Sequence, residues 1–121
     1  MTKSIAIRSV RVIDGTGRTI ERATVVIRGA TIAAVGSDRD LSIPRGATKL
    51  DGRGLTLLPG LIDCHVHLCL GAEPDVVAAI AKETSALTLL KAGQAARATL
   101  EAGFTTVRDV GSRDHAIFTL Q

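Results

Sequence analysis

The fold of this chain is decided by the stretch LLPGLIDCHVHL, which spans residues 57–68. From Leu61 onward the stretch is almost continuously apolar, and it carries two histidines, His65 and His67. A short apolar run of this kind is typical of a strand in a parallel sheet whose two faces are both covered. We therefore predict a buried β-strand over residues 61–68.

Downstream of this strand, the sequence predicts helices that alternate with one further strand. Good helix formers dominate residues 85–102, where apolar residues recur at helical spacing. The other predicted elements are a helical stretch that opens at Glu73-Pro74-Asp75, a C′ glycine at Gly103, a buried strand over residues 104–107, a turn with an N-cap at Gly111-Ser112, and a helix from Asp114 to Gln121. This β-α-β-α order is that of a parallel sheet with crossover helices.

Upstream, the sequence predicts β-structure. Apolar and polar residues alternate from Ile5, and the parity of the alternation changes between Ile7 and Val10, which predicts a bulge or strand break near Ser9. The other predicted elements are a turn at residues 14–17, a hairpin of residues 24–27 and 31–35 around Arg28-Gly29-Ala30, a loop over residues 36–46, and two short strands over residues 49–52 and 55–58 around a tight turn. The character of the sequence changes at Pro59-Gly60.

Length and composition exclude several classes of protein. The chain has 121 residues, which is too short for a complete (β/α)₈ barrel of roughly 200 to 250 residues. With two Phe, no Trp, no Tyr and a net charge of only +3, it lacks the aromatic and basic surface that binds nucleic acids. The N-terminus has no apolar signal region, residues 55–70 are too short and too polar to span a bilayer, and two nearby cysteines do not make a secreted disulfide framework. We therefore expect a cytoplasmic protein with no nucleic-acid partner and no membrane partner.

The two histidines are the strongest candidates for chemistry. Residues i and i+2 of a strand project from the same face, so His65 and His67 are expected to stand side by side. Two neutral imidazoles can hold one divalent ion, and α/β sheets place their sites at the carboxyl ends of strands. The alternative is that both rings fill a barrel-like interior or bond to backbone groups. Two ligands are also fewer than the three or four of a tight zinc site.

Three residues near the pair have their own alternatives. Cys69 shares the parity of the histidines and is a candidate third ligand, although a small buried hydrophobe is the more usual role of such a cysteine. Cys64 has the opposite parity and is expected to face the packing helices. Asp63 lies further back along the strand, where a structural hydrogen bond is expected rather than ligation.

Charged residues also end the second predicted strand. One of Arg108 and Asp109 could lie at the mouth of a site, near substrate or metal ligands. The interpretation that we favour is a charge pair or a loop anchor that orders the turn at Gly111. His115 lies in a polar stretch and is interpreted as a solvated residue of a first helical turn.

Taken together, these stretches resemble a known family. Residues 57–68 resemble the first barrel strand of the amidohydrolase superfamily, and AGFTTVRDVG, residues 102–111, resembles the second strand of its imidazolonepropionase-like and prolidase-like branch. The strand-rich residues before Pro59 are similar to the N-terminal part of the small β-sandwich that flanks the barrel. The resemblance implies an α/β fold in which residues 1–58 form part of that β-sandwich. Residues 59–121 then form the start of a TIM-type (β/α)₈ barrel, incomplete in this chain.

The resemblance also implies a function. It indicates a metal-dependent hydrolase of carbon–nitrogen bonds that acts on small molecules such as dipeptides, N-acyl amino acids or cyclic amides. His65 and His67 would bind the more buried ion of a one-metal or two-metal site, usually zinc, which makes hydroxide available near neutral pH. In the family, a lysine, two more histidines and an aspartate come from later strands, so the catalytic residues are expected beyond Gln121.

The chain alone is therefore expected to be inactive, as the N-terminal portion of such an enzyme, and a homo-oligomer is left open for the complete protein. The alternative is a non-catalytic module, or a half-barrel that a partner chain completes.

Overall fold

The computed structural model describes residues 3–71, 73–112 and 116–120. The chain divides into two compact units, Met1–Pro59 and Gly60–Gln121. The division falls at the Pro59-Gly60 step, where the residue pattern changes from alternating to continuously apolar.

The described residues of the first unit form one five-stranded sheet. Its strands are β1 (Ser4–Ile13), β2 (Thr19–Arg28), β3 (Thr31–Ser37), β4 (Thr48–Asp51) and β5 (Thr56–Leu57). β1 pairs antiparallel with β2 and parallel with both β4 and β5, and β3 pairs antiparallel with β2. The predicted hairpin is confirmed: Gly29 has a φ of 60°, a conformation that glycine adopts without steric cost. The two short strands are also confirmed, and each pairs separately with β1.

The bulge predicted near Ser9 is confirmed. The pairing of β1 with β2 shifts its register between Ile7 and Val10, and Ser9 has a φ of 55°. The carboxylate of Asp38 accepts hydrogen bonds from the Thr24 hydroxyl (2.7 Å), the Ser9 hydroxyl (2.7 Å) and the Ser9 backbone N–H (3.1 Å). These bonds, that from Thr24 foremost, lower the pKa of Asp38 to about 2. One carboxylate thus stabilises the irregular part of the sheet.

The core of the first unit is built mainly from valines. Val10, Val12, Ala23 and Val25 are buried together, as expected for β-branched residues on the inner face of a sheet. Partly buried apolar residues continue this face into an open groove of about 320 Å³. Residues lining the groove include Ile7, Ile20, Ile32, Val35 and Leu57. Ala6, Thr24 and Val26 are buried as well, on the opposite face from Val25. The described sheet therefore buries residues on both faces around β1 and β2, and it leaves the groove open on one of them.

The second unit alternates strands with helices, as predicted. Its elements are β6 (Leu61–Val66), α1 (Val76–Lys82), α2 (Ser85–Glu101), β7 (Phe104–Asp109) and α3 (Ala116–Thr119). β6 and β7 pair in parallel, so the predicted parallel arrangement with helices between strands is confirmed. β7 extends two residues further than predicted, and the prediction that it is buried is wrong for the described part of the chain, where each of its residues is half-buried or exposed. α3 ends at Thr119, before the predicted end at Gln121. Within the predicted range 114–121, Asp114, His115 and Gln121 lie outside the described residues.

Local capping explains where the helices begin and end. The Asp75 carboxylate accepts a hydrogen bond from the Ala78 N–H (2.9 Å) at the start of α1, and the Thr84 hydroxyl accepts one from the Leu87 N–H (3.3 Å) at the start of α2. Gly103, with a φ of 98°, ends α2 as the predicted C′ glycine. No helix in the described ranges is long and apolar enough to cross a membrane.

The prediction that both faces of β6 are covered is wrong for the described part of the chain. Ile62 is 65% exposed and Leu61 is 48% exposed. Only the carboxyl end of the strand is packed: Val66 and Val107 lie against a cluster of buried residues. That cluster consists of Leu68, Cys69, Ala92 and Ala116. The helices therefore cover one end of the β6–β7 pair, and this end carries the histidines.

Candidate metal centre

The two histidines lie side by side at the carboxyl end of β6, as their spacing predicts. The centroids of the His65 and His67 rings are 5.4 Å apart, and the ring planes meet at 74°. Both residues are exposed. Two imidazoles at this separation, on one face and accessible from solvent, present nitrogen donors that can converge on a single cation.

A backbone carbonyl fixes the protonation pattern of one ring. His67 Nδ1 lies 3.1 Å from the carbonyl oxygen of Gly111. A carbonyl only accepts hydrogen bonds, so the bond requires a proton on Nδ1, and in the neutral ring it leaves the lone pair of Nε2 free. Histidines that bind metals usually donate their second ring nitrogen to such a group. The arrangement of His67 therefore fits a metal ligand.

The environment of His65 is consistent with the same role. Its backbone N–H donates to the carboxylate of Asp63 (3.0 Å), which fixes the strand just before the pair. Asp63 thus forms the structural hydrogen bond that the sequence predicts. Within the described ranges, no side chain or backbone group bonds to the His65 ring. Its nitrogens are consequently available to a cation.

Asp109 joins the ends of the two parallel strands. Its carboxylate accepts hydrogen bonds from the Leu68 N–H (2.9 Å) and the Gly111 N–H (3.0 Å). The loop anchor favoured in the sequence interpretation is confirmed for Asp109. No ion pair involving Arg108 is present among the described residues, so the anchor depends on backbone donors rather than on a charge pair.

The two cysteines differ from each other in burial. Cys69 is only 4% exposed and belongs to the core beside Leu68 and Ala92. Burial, and secondarily the charge of Asp109, raise the pKa of the Cys69 thiol, which disfavours the thiolate that a metal needs. Cys69 therefore takes the alternative role of a small buried hydrophobe. Cys64 is exposed instead of covered by helices, because the packed cluster begins only at Val66.

The described part of the chain supplies no third metal ligand. It contains no group of three or more His, Cys, Asp or Glu side chains placed to hold one ion. His115 lies outside the described residues, so its prediction as a solvated residue is not addressed. The sequence did not reveal that the Gly111 carbonyl is a partner of His67, because any residue type supplies a backbone carbonyl.

The second unit matches the model of a known protein family. The model described as "Amidohydrolase family" matches residues 56–120, which include both parallel strands and the histidine pair. Among curated proteins, the chain is 44% identical over 55 residues to an imidazolonepropionase of Chloroflexus aggregans and 39% identical over 59 residues to one of Alkaliphilus metalliredigens. These alignments cover 45% and 46% of this chain, but only 13% and 14% of the relatives.

Solved structures match over nearly the whole chain. A Xaa-Pro dipeptidase with bound methionine in its active site is 31% identical, with a TM-score of 0.84 over 98% of this chain and 29% of its own. Molinate hydrolase is 27% identical, with a TM-score of 0.82 over 98% of this chain and 26% of its own. A putative prolidase from Bifidobacterium longum is 27% identical, with a TM-score of 0.75 over 99% of this chain and 26% of its own. The chain thus spans less than a third of each of these proteins.

Proposed function

Because the chain belongs to the amidohydrolase family, we propose that it forms the first part of a metal-dependent hydrolase of carbon–nitrogen bonds, in which His65 and His67 hold a divalent ion. The observation that carries the proposal is the geometry of the pair. Its rings lie 5.4 Å apart at the carboxyl end of a parallel strand, and one of them already donates Nδ1–H to a carbonyl. Active sites of barrel enzymes lie at this end of the strands.

The proposed substrates are small amides: dipeptides, N-acyl amino acids or cyclic amides. Support for this class comes from the named relatives, which include imidazolonepropionases, a Xaa-Pro dipeptidase and a putative prolidase. The proposed ion is zinc, for which neutral imidazole nitrogens are common ligands. When bound, such an ion makes hydroxide available near neutral pH and polarises a scissile carbonyl.

We further propose that the 121-residue chain does not hydrolyse amides without additional segments. A catalytic zinc site has three protein ligands, whereas the described residues group only two. This chain's own contribution is to orient two imidazoles: Asp63 fixes the strand before His65, and the Gly111 carbonyl holds the ring of His67. Weak, reversible binding of an ion is the expected behaviour.

A half-barrel completed by a partner chain is the second candidate. It is favoured by the exposure of large apolar side chains in the second unit, where Ile62 is 65% exposed and Leu90 is 70% exposed. Exposed apolar surface of this kind marks sites that other protein segments cover. Size-exclusion chromatography separates the two candidates, since a partner-completed half-barrel should elute as a complex only when its partner is added.

Calorimetric titration of the chain with Zn²⁺ tests the leading proposal. We expect one site per chain, and we expect His65→Ala and His67→Ala each to weaken binding at least about 10-fold, because each removes one of two ligands. His115→Ala is the matched control, since it makes the same substitution at the remaining histidine and should leave the affinity unchanged. Unaltered zinc affinity in both His65→Ala and His67→Ala would show that the ion, if bound, is held elsewhere.

A further inference from the structure

The ring of His67 is the end point of a connected set of hydrogen bonds. Asp109 accepts one bond from the N–H of Leu68, the residue directly after His67, and a second from the N–H of Gly111. The carbonyl of Gly111 in turn accepts the bond from His67 Nδ1. One carboxylate therefore holds both the backbone beside His67 and the turn that contacts its ring.

We propose that Asp109 is a positioning residue that sets the tautomer and the orientation of His67. Its two oxygens hold the Leu68 and Gly111 N–H groups at 2.9 Å and 3.0 Å, which fixes where the Gly111 carbonyl stands relative to the imidazole. With that carbonyl in place, the proton stays on Nδ1 and the lone pair of Nε2 points away from the turn. The consequence for metal affinity rests on the proposed function, whereas the tautomer itself does not.

The local packing supports this role. A Cβ added at Gly111 would lie 3.4 Å from both Cε1 and Nδ1 of His67, so the ring rests directly against the backbone of the turn. The Val110 N–H also donates to the Val66 carbonyl at 3.0 Å, which ties the same turn to the end of β6. A small movement of the turn would therefore be transmitted to the ring.

Only a carboxylate can make both of the Asp109 bonds. Each oxygen accepts from a different backbone N–H, and neither donor can reverse its role. In Asp109→Asn, one of the two N–H groups would face an NH₂ group, and in Asp109→Ala both would lose their partner. In both variants the Gly111 carbonyl should no longer be held in place. The proton of the neutral His67 ring should then no longer be confined to Nδ1.

The experiment measures histidine tautomers by ¹⁵N NMR on the metal-free chain, at about pH 8.5, where an unperturbed imidazole is neutral. We expect the His67 signals of the wild type to show a proton on Nδ1. We expect Asp109→Ala and Asp109→Asn to shift them toward the Nε2–H form. Thr84→Ala is the control: it removes the cap of α2, a side-chain bond to a backbone N–H in the same unit, and should leave the His67 tautomer unchanged.

The results separate positioning from mere stability. If both Asp109 variants keep the wild-type tautomer, or if Thr84→Ala shifts it equally, the proposal is wrong. Should Asp109→Ala fail to fold, Asp109→Asn gives the same readout. Zn²⁺ titration of the folded variants should show an affinity about 10-fold lower than that of the wild type, as is typical when a partner of a ligating histidine is lost. If the wild type binds no zinc but both Asp109 variants shift the His67 tautomer, the proposed function is refuted while the positioning role is supported.

Discussion

Replacing Asp38 by Asn should remove the contribution of this carboxylate to the loss of stability of the first unit in acid. Asp38 accepts three hydrogen bonds from Ser9 and Thr24, and its pKa is lowered to about 2. Asn keeps the shape and one acceptor oxygen, and its NH₂ can donate to a hydroxyl that turns around to accept. The substitution therefore changes the charge more than it changes the number of bonds.

The size of the effect follows from the change in ionisation. The ordinary pKa of an Asp carboxyl is 3.8, and in the folded protein it is about 2. Since a tenfold change in an ionisation constant corresponds to about 1.4 kcal/mol, the upper limit is about 2.5 kcal/mol. Asp38 is partly exposed to solvent, so we expect about 1 to 2 kcal/mol. Because the folded pKa is the lower one, this contribution is complete above about pH 5 and is lost as the pH falls toward about 2.

The assay is urea unfolding followed by the NMR amide signals of the first unit, because the chain has no Trp or Tyr for fluorescence. The difference in unfolding free energy between wild type and Asp38→Asn should shrink from neutral pH to about pH 2.5. Asp51→Asn is the matched control: it removes the same charge from an exposed Asp whose pKa is lowered by hydrogen bonds from Arg53, and because solvent screens that pair, its pH-dependent contribution should be smaller. The reasoning is refuted if wild type and Asp38→Asn lose stability in parallel over that range, or if Asp51→Asn behaves like Asp38→Asn.

Three further substitutions test the packing. In α2, Gly93→Ala should raise the unfolding free energy by about 0.5 to 1 kcal/mol, because Ala is the better helix former. The new Cβ has room, since it would lie 4.0 Å from the nearest Leu120 atom. A lower melting temperature, followed by far-UV circular dichroism, would contradict this. Gly60→Ala should lower the unfolding free energy by about 1 to 3 kcal/mol, because the new Cβ would lie 2.6 Å from Cβ of Thr105. Unchanged rates of amide hydrogen exchange in β6 and β7 would contradict this prediction. Val25→Ala should lower the unfolding free energy by about 2 kcal/mol, because it opens a cavity in the valine core. If urea unfolding shows almost no change, the residues around the neighbouring groove have moved in to fill that cavity, and the prediction is wrong.

Local elements were predictable from the sequence, whereas their long-range partners were not. The change of parity around Ser9 predicts the bulge, since each residue added to a strand reverses the faces. No local pattern indicates that Asp38, on the far side of a hairpin, accepts its hydrogen bonds. Similarly, the short strands β4 and β5 were predicted, but their parallel pairing with β1 depends on chain segments distant in sequence.

The candidate site divides in the same way. Strand periodicity predicts that His65 and His67 share a face, and the paired rings agree. The bond from His67 to Gly111 could not be predicted, because a backbone carbonyl leaves no trace in residue type. The sequence predicted β6 to be more buried than it is in the described part of the chain. An apolar run shows that a strand can be covered on both faces, but it does not show which elements pack against it.

X-ray absorption spectroscopy of the chain loaded with one equivalent of Zn²⁺ tests most directly whether the two imidazoles hold one ion together. We predict two imidazole nitrogens at about 2.0 to 2.1 Å from the ion, with oxygen ligands completing the shell, and one imidazole after His67→Ala. A wild-type spectrum with one imidazole or none, or with sulfur at about 2.3 Å, would contradict the assignment.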